Sequence, residues 1–281
     1  MNNIKIIDCF MINNELDILN IRLYELYDVV DYFVLVESKK THKGKEKPLH
    51  YENNKHLFEK YGDKIINVVI DFPESYGSFC GDETEENWLR ESSQRECIFE
   101  GIEKIDNITE HDVIIITDVD EIPNSSVIEK IKKREIILKT DEIYSLQMRM
   151  HYYNIEWIAG RYWNHPKIIN YGTCKKNVSL TQIRLSPVLN IILDGGWHLS
   201  YFGDETAVLN KTHHILENHP NECFDIKYLQ ECIEKGILSF SREKLIKIPL
   251  ETNNNVPKYF LRKKPTRPTR TVRPTLPLTW K

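Results

Sequence analysis

The run DVIIITDVDEIP, Asp112 to Pro123, constrains this chain more than any other stretch. Val113, Ile114, Ile115 and Ile116 are consecutive and β-branched, the pattern of a short strand buried on both faces. That strand leads directly into Asp118, Asp120 and Glu121. Residues two apart on a strand point to the same face, so Asp118 and Asp120 repel one another unless a cation lies between them. An all-oxygen pair suits a hard divalent ion, Mg²⁺ or Mn²⁺, which commonly binds substrate phosphates as well. The other reading is a group of acids leading into the next helix, with Asn124 or Ser125 as its N-cap. The D-x-D spacing alone does not choose between them; the preceding strand favours the metal site.

The flanking sequence supplies the frame. Apolar runs at Ile4–Ile12, Tyr32–Ser38 and 64–73 alternate with stretches of helical periodicity, among them Leu16, Leu19, Leu23 and Leu26. Alternating strands and helices predict an α/β fold, a mostly parallel central sheet with helices on both faces. Ligands of such sheets bind beyond the carboxyl ends of the strands, where the acidic cluster, Asn13–Glu15 and Glu37 all fall. A helix is expected near Ser126–Leu138. Beyond it, EIYSLQMRMHYYN alternates like a half-exposed strand, and Trp157, Tyr162, Trp163 and Tyr171 crowd the next stretch. NIILDGGWHLSYFG reads as a strand broken by Gly195 and Gly196, whose missing side chains suggest close backbone approach. The terminal LRKKPTRPTRTVRPTLPLTWK mixes prolines with basic residues and threonines, an extended or disordered tail over 261–281.

Composition excludes several classes. With 41% hydrophobic residues among 281 the chain can bury a large core, and a net charge of −4 gives no reason to expect nucleic acid as a partner. No apolar run approaches the ~20 residues of a membrane span, and the first ten residues lack a signal-peptide core. A cytoplasmic protein is therefore expected. The six cysteines are scattered without a C-x-x-C pair, which fits reduced thiols better than a zinc site or disulfide framework.

Two enzyme classes place D-x-D at the end of a strand. Haloacid-dehalogenase-type phosphatases carry it on their first strand; here three strands precede it. Nucleotide-sugar glycosyltransferases use it to hold a metal–nucleotide diphosphate. Four blocks, NNELDILNIRLYEL with VDYFVLVESKKTHKGKEKPLHY, NWLRESSQRECIFEGI, DVIIITDVDEIP and GGWHLSYFG, together resemble glycosyltransferase family 17 over about residues 8–203. After Gly203 the likeness weakens, although Lys211 is retained.

The resemblance implies a GT-A-like fold, a UDP-GlcNAc donor, Mn²⁺ or Mg²⁺, a glycan acceptor and inversion to a β-linkage. It implies a single catalytic domain over 1–260, with a donor-binding half of about 1–140 and an acceptor-side half of 141–260. Asp120 is then the main metal ligand, and Asp118 holds the metal or the donor ribose, with Glu121 orienting them. Asn13, Glu15 and Glu37 are placed to meet the uridine, each with a turn or cap role as the alternative. Arg90 and Arg95 suit a diphosphate, or a salt-bridged helix with Glu91 and Glu96. Trp197 offers a flat face to a sugar, and His198 a contact to phosphate, acceptor or metal. Asp194 is the first candidate for the base, ahead of Glu217 and Glu205, and is otherwise a turn residue before Gly-Gly. The competing functions are a Mg²⁺-dependent phosphatase and an inactive nucleotide-sugar-binding protein.

Overall fold

The computed structural model describes residues 4–73, 83–177, 179–214 and 219–262; Glu217 and the tail from Lys263 onward lie outside the described residues. Strands β1 (Ile6–Ile12), β2 (Tyr32–Ser38), β3 (Ile65–Ile70) and β4 (Val113–Asp118) are joined through α1 (Leu16–Leu26), α2 (His50–Asn54) with a following 3-10 segment (Lys55–Lys64), α3 (Glu83–Glu96) and α4 (Ile98–Ile102). They form a parallel block in the order β3-β2-β1-β4. Next come β5 (Glu121–Pro123), α5 (Ser125–Lys132), β6 (Tyr144–Tyr152), β7 (Trp157–Trp163), β8 (Lys167–Asn170), α6 (Tyr171–Lys176), α7 (Leu180–Leu185), β9 (Asn190–Ser200), α8 (Glu205–His214), α9 (Ile226–Lys235), β10 (Ile246–Lys247) and α10 (Lys258–Leu261). The sheet extends past β4 as β8-β6-β7-β10. Here the character changes: β8 is antiparallel to both β4 and β6, and β7 to β6. Only β6 and β9 continue the parallel pairing.

Alternation within the apolar runs places one core on each face. Phe10, Leu19, Leu23, Phe33, Ile115 and Ile128 pack on the side of α1 and α5. Ile7, Cys9, Val34, Ile98, Ile102, Ile114, Ile116 and Ile183 pack on the side of α4 and α7. Continuous β-branched sequence in β4 is thus required by burial on both sides. The five described cysteines carry free thiols. No helix among the described residues is long and apolar enough to cross a membrane. At the C-terminal end α10 packs on α1, and the Arg262 guanidinium lies 4.2 Å from the Tyr24 ring centroid.

The twin glycines do admit a close approach, but to the protein's own backbone. β9 is hydrogen-bonded to β5 on one side and β6 on the other. A side chain at Gly195 would meet Leu146 Cβ at 2.8 Å and the Gln147 nitrogen at 2.9 Å; one at Gly196, whose φ is +150°, would meet the Ile122 carbonyl oxygen at 2.1 Å. Gly196→Ala combines that collision with a backbone conformation L-residues avoid, and is expected to destabilise the fold by more than about 1 kcal/mol. Equilibrium urea unfolding measures it; an unchanged midpoint would show that β9 can shift away from β5.

Candidate active site

The site begins below the acidic residues, with a pair that sequence reading missed. Asp8, in the middle of β1, and Arg22, on α1, are both fully buried. Arg22 Nε donates to Asp8 Oδ2 at 2.8 Å and Nη2 to Oδ1 at 2.6 Å, a bidentate fork. Nη2 also donates to Thr117 Oγ1, and Nη1 to the carbonyls of Asp118, Val119 and Glu121 at 3.0, 3.2 and 2.8 Å. One guanidinium therefore gathers three carbonyls of the acidic segment. That folds the segment into a turn: β4 ends at Asp118, Val119 and Asp120 form the turn, and β5 starts at Glu121. Asp118 and Asp120 are brought together by this turn rather than by strand alternation.

The carboxylates above the turn meet cations from three helices, with Arg184 shared by Asp118 and Glu121. Asp118 Oδ2 accepts from Arg184 Nη2 at 3.0 Å, and its Oδ1 lies 3.5 Å from Arg95 Nη2. Asp120 Oδ2 accepts from Lys211 Nζ at 2.6 Å, with His198 Nε2 at 3.5 Å. Glu121 takes Arg184 Nη2 on Oε1 at 2.5 Å, the indole N–H of Trp163 on the same oxygen, and the Asp118 backbone N–H on Oε2 at 2.9 Å. The repulsion anticipated from the sequence is thus offset within the chain by Arg95, Arg184 and Lys211. Burial by itself would raise both aspartates. For Asp118, Arg184 and then Arg95 outweigh it; for Asp120, Lys211 and His198 do, and both carboxyls lie below their ordinary range.

These cations are positioned by local structure. Arg184 rides on α7, whose first turn is held by Ser179 as N-cap and by Glu96, which accepts from the backbone N–H groups of Leu180 and Thr181. Glu96 therefore docks α7 against α3, the helix that carries Arg95. Lys211 sits on α8, half-buried, and against partial desolvation Asp120 and then Glu15 raise its ammonium above the ordinary range. Glu15 also closes the turn after β1 by accepting from the N–H groups of Asn13 and Asn14. His198 lies opposite Glu121 in the β5–β9 ladder, and its Nδ1 is buried without a partner among the described residues.

Other expected site residues are engaged elsewhere. Glu37 is fully buried and accepts from the N–H groups of Tyr51 and Glu52, so it caps α2 instead of facing a uridine. Arg90 is paired with Glu86, donates to the His42 carbonyl and lies against Gly44, which fixes the loop after β2. Trp197 is 4% exposed, belongs to the core and donates to the Asn255 carbonyl, so it has no free face for a sugar. Asp194 is exposed, with a positive φ of 52°, and its carbonyl accepts from Asn124. It lies within β9, four positions before His198 and roughly 13 Å from it along the strand, outside the cluster. Glu205 opens α8, six residues or about 9 Å along the helix from Lys211. Asn124 caps α5, accepting from the Ser126 N–H.

As to metal, two carboxylates without a third protein ligand are what Mg²⁺ or Mn²⁺ needs when substrate phosphates complete its shell. Among the described residues no group of three or more His, Cys, Asp or Glu could hold an ion unaided. Asp118, whose side chain is 38% exposed, is the more accessible of the pair. Its donors fit an ion that arrives with its diphosphate.

The sequence profile of glycosyltransferase family 17 matches residues 1–211, from β1 through the Lys211 position. The chain belongs to glycosyltransferase family 17. Beta-1,4-mannosyl-glycoprotein 4-beta-N-acetylglucosaminyltransferase of Rattus norvegicus is 33% identical over 122 residues, 42% of this chain and 22% of that protein. The Homo sapiens protein of the same name is 32% identical over the same shares. The chain thus matches about a fifth of the length of these relatives. The matched span includes Asp118, Asp120, Arg184 and Lys211, and family 17 membership sets aside the phosphatase reading of the D-x-D motif.

Proposed function

We propose that this chain is an inverting glycosyltransferase that moves N-acetylglucosamine from UDP-GlcNAc to a glycan hydroxyl, with a divalent metal at Asp118 and Asp120. The observation that carries the reading is the convergence of Arg95, Arg184, Lys211 and His198 on three carboxylates at the end of β4, in a family 17 chain. The metal, when bound, supplies Lewis-acid charge that stabilises the departing diphosphate. The chain's own part is to hold that diphosphate between helices. Arg184 and Arg95 flank Asp118 from one side and Lys211 approaches Asp120 from another, so fixed cations face the place where negative charge develops. Arg184 Nη1 is enclosed and has no partner among the described residues, which leaves a donor for a phosphate oxygen. The relatives' name supports the donor sugar and a mannosyl acceptor.

A second reading follows from the 2.6 Å Lys211–Asp120 contact: transfer without a resident metal, in which Lys211 and Arg184 alone take the leaving-group charge. One assay separates these readings. UDP release is measured over a panel of UDP-sugars, with Mn²⁺ and with EDTA. Release from UDP-GlcNAc that needs Mn²⁺ is the expected result; release that survives EDTA selects the second reading. A chain that binds UDP-sugars and turns over none of them, with mannosides present, would be the inactive binding protein.

A further inference from the structure

The aromatic face expected of Trp197 is supplied by another tryptophan. β7 ends at Trp163, and Asn164, His165 and Pro166 lead the chain back into β8. The Trp163 ring centroid lies 4.2 Å from that of His165, with the planes 31° apart, and 5.0 Å from that of His198, 41° apart. Its indole N–H is given to Glu121, the carboxylate that Arg184 also grips. Trp163 is half-buried and His165 exposed. Trp163 packs at the margin of two hydrophobic clusters and also joins two imidazoles beside the acidic turn, and the outer imidazole, His165, is exposed. Between them in sequence, Asn164 Oδ1 is enclosed without a hydrogen-bond partner among the described residues.

A pyranose has the matching chemistry. Its C–H face packs on flat apolar rings, while its hydroxyls supply donors and acceptors at the rim; small-molecule sites combine aromatic walls with a few placed polar groups in this way. We propose that Trp163 and His165 form the sugar-binding wall of this site, with Asn164 meeting a hydroxyl at its edge. The assignment rests on the glycosyltransferase reading for its biological setting, and on ring geometry for its chemistry. Partial desolvation beside Trp163, with Arg184 adding to it, pushes the His165 imidazole below its usual range. The sugar is that of the donor or that of the acceptor, and the experiment distinguishes them.

The full chain and its Trp163→Phe, Trp163→Leu and His165→Ala forms are titrated with UDP, UDP-GlcNAc, N-acetylglucosamine and methyl β-mannoside. His165→Ala, in an exposed turn, guards against an effect of misfolding at Trp163. If the donor sugar uses the wall, His165→Ala weakens UDP-GlcNAc by about tenfold, the scale of losing one good aromatic contact, and leaves UDP unchanged; Trp163→Leu, which also takes the indole N–H from Glu121, weakens UDP-GlcNAc at least as much. If the acceptor uses it, affinity for UDP-GlcNAc is unchanged and the KM for methyl β-mannoside rises by a similar factor. Tryptophan emission gives a readout independent of the nucleotide: a free saccharide perturbs it in the unsubstituted chain and not in Trp163→Phe. A saccharide signal with no UDP binding would defeat the nucleotide-sugar reading and keep the wall. Unchanged sugar affinities in the variants, or a saccharide signal that persists in Trp163→Phe, would overturn the wall.

Discussion

Arg22→Met is expected to cost about 3–5 kcal/mol of folding stability, the usual penalty for removing one partner of a buried ion pair. Asp8 would be left as a fully buried carboxylate without its fork, and the carbonyls of Asp118, Val119 and Glu121 would lose their common donor. Arg22→Lys keeps the charge but offers a point ammonium where a planar fork is needed, so it should recover only part of the loss. An apolar double replacement, Arg22→Met with Asp8→Leu, should be more stable than Arg22→Met alone, because no unpaired charge remains. Urea denaturation of the four proteins checks the order. If Arg22→Met unfolds at the same midpoint as the starting chain, the pair does not hold the acidic turn in place.

Asp120→Asn is expected to lower UDP release from UDP-GlcNAc by about 10²–10³-fold, the scale seen when one fixed electrostatic group is removed from a reacting centre. Asparagine has nearly the same shape, and the Lys211 side chain it would leave is 24% exposed, so solvent can take over that ammonium. The thermal midpoint should accordingly stay close to that of the unsubstituted protein, while Mn²⁺ affinity, measured calorimetrically in the presence of UDP, falls. Near-normal UDP release with Mn²⁺ would show that Asp120 is a structural partner of Lys211 and not a ligand.

The parallel half of the fold was legible because its signals are local. Continuous β-branched runs and the periodic leucines of α1 report burial directly, and the end of β4 marked the site. The second half was harder to read. β8 returns antiparallel beside β4, and β9 divides its hydrogen bonds between two strands; both depend on partners distant in sequence. The same distinction governs the site residues. The Asp118 and Asp120 pair of the candidate site was visible from spacing. Arg184 was not, since it comes from a short helix, LTQIRL, that reads as ordinary surface. Arg22 left a usable sign: an aspartate inside the apolar run IIDCFMI must have a buried partner, and an arginine within the apolar stripe of the next helix is the nearest in sequence. Glu37 and Trp197 were misread for one reason. A polar or aromatic residue near a strand end is needed as often for capping and core filling as for binding, and only tertiary contacts separate these uses.

The branching of the sheet at β9 has a mechanical consequence. Rotation of the first four strands against β6 and β7 as two rigid halves would strain the Glu121–His198 and Ile122–Trp197 register on one side of β9 or the Arg149–Trp197 and Met150–His198 register on the other. The sheet also continues unbroken through β8. Among the described residues the sheet therefore offers substrates no hinge between its two halves. Whatever rearrangement accompanies their arrival must fall to side chains such as Lys211 and Arg184, and to segments that are not woven into the sheet.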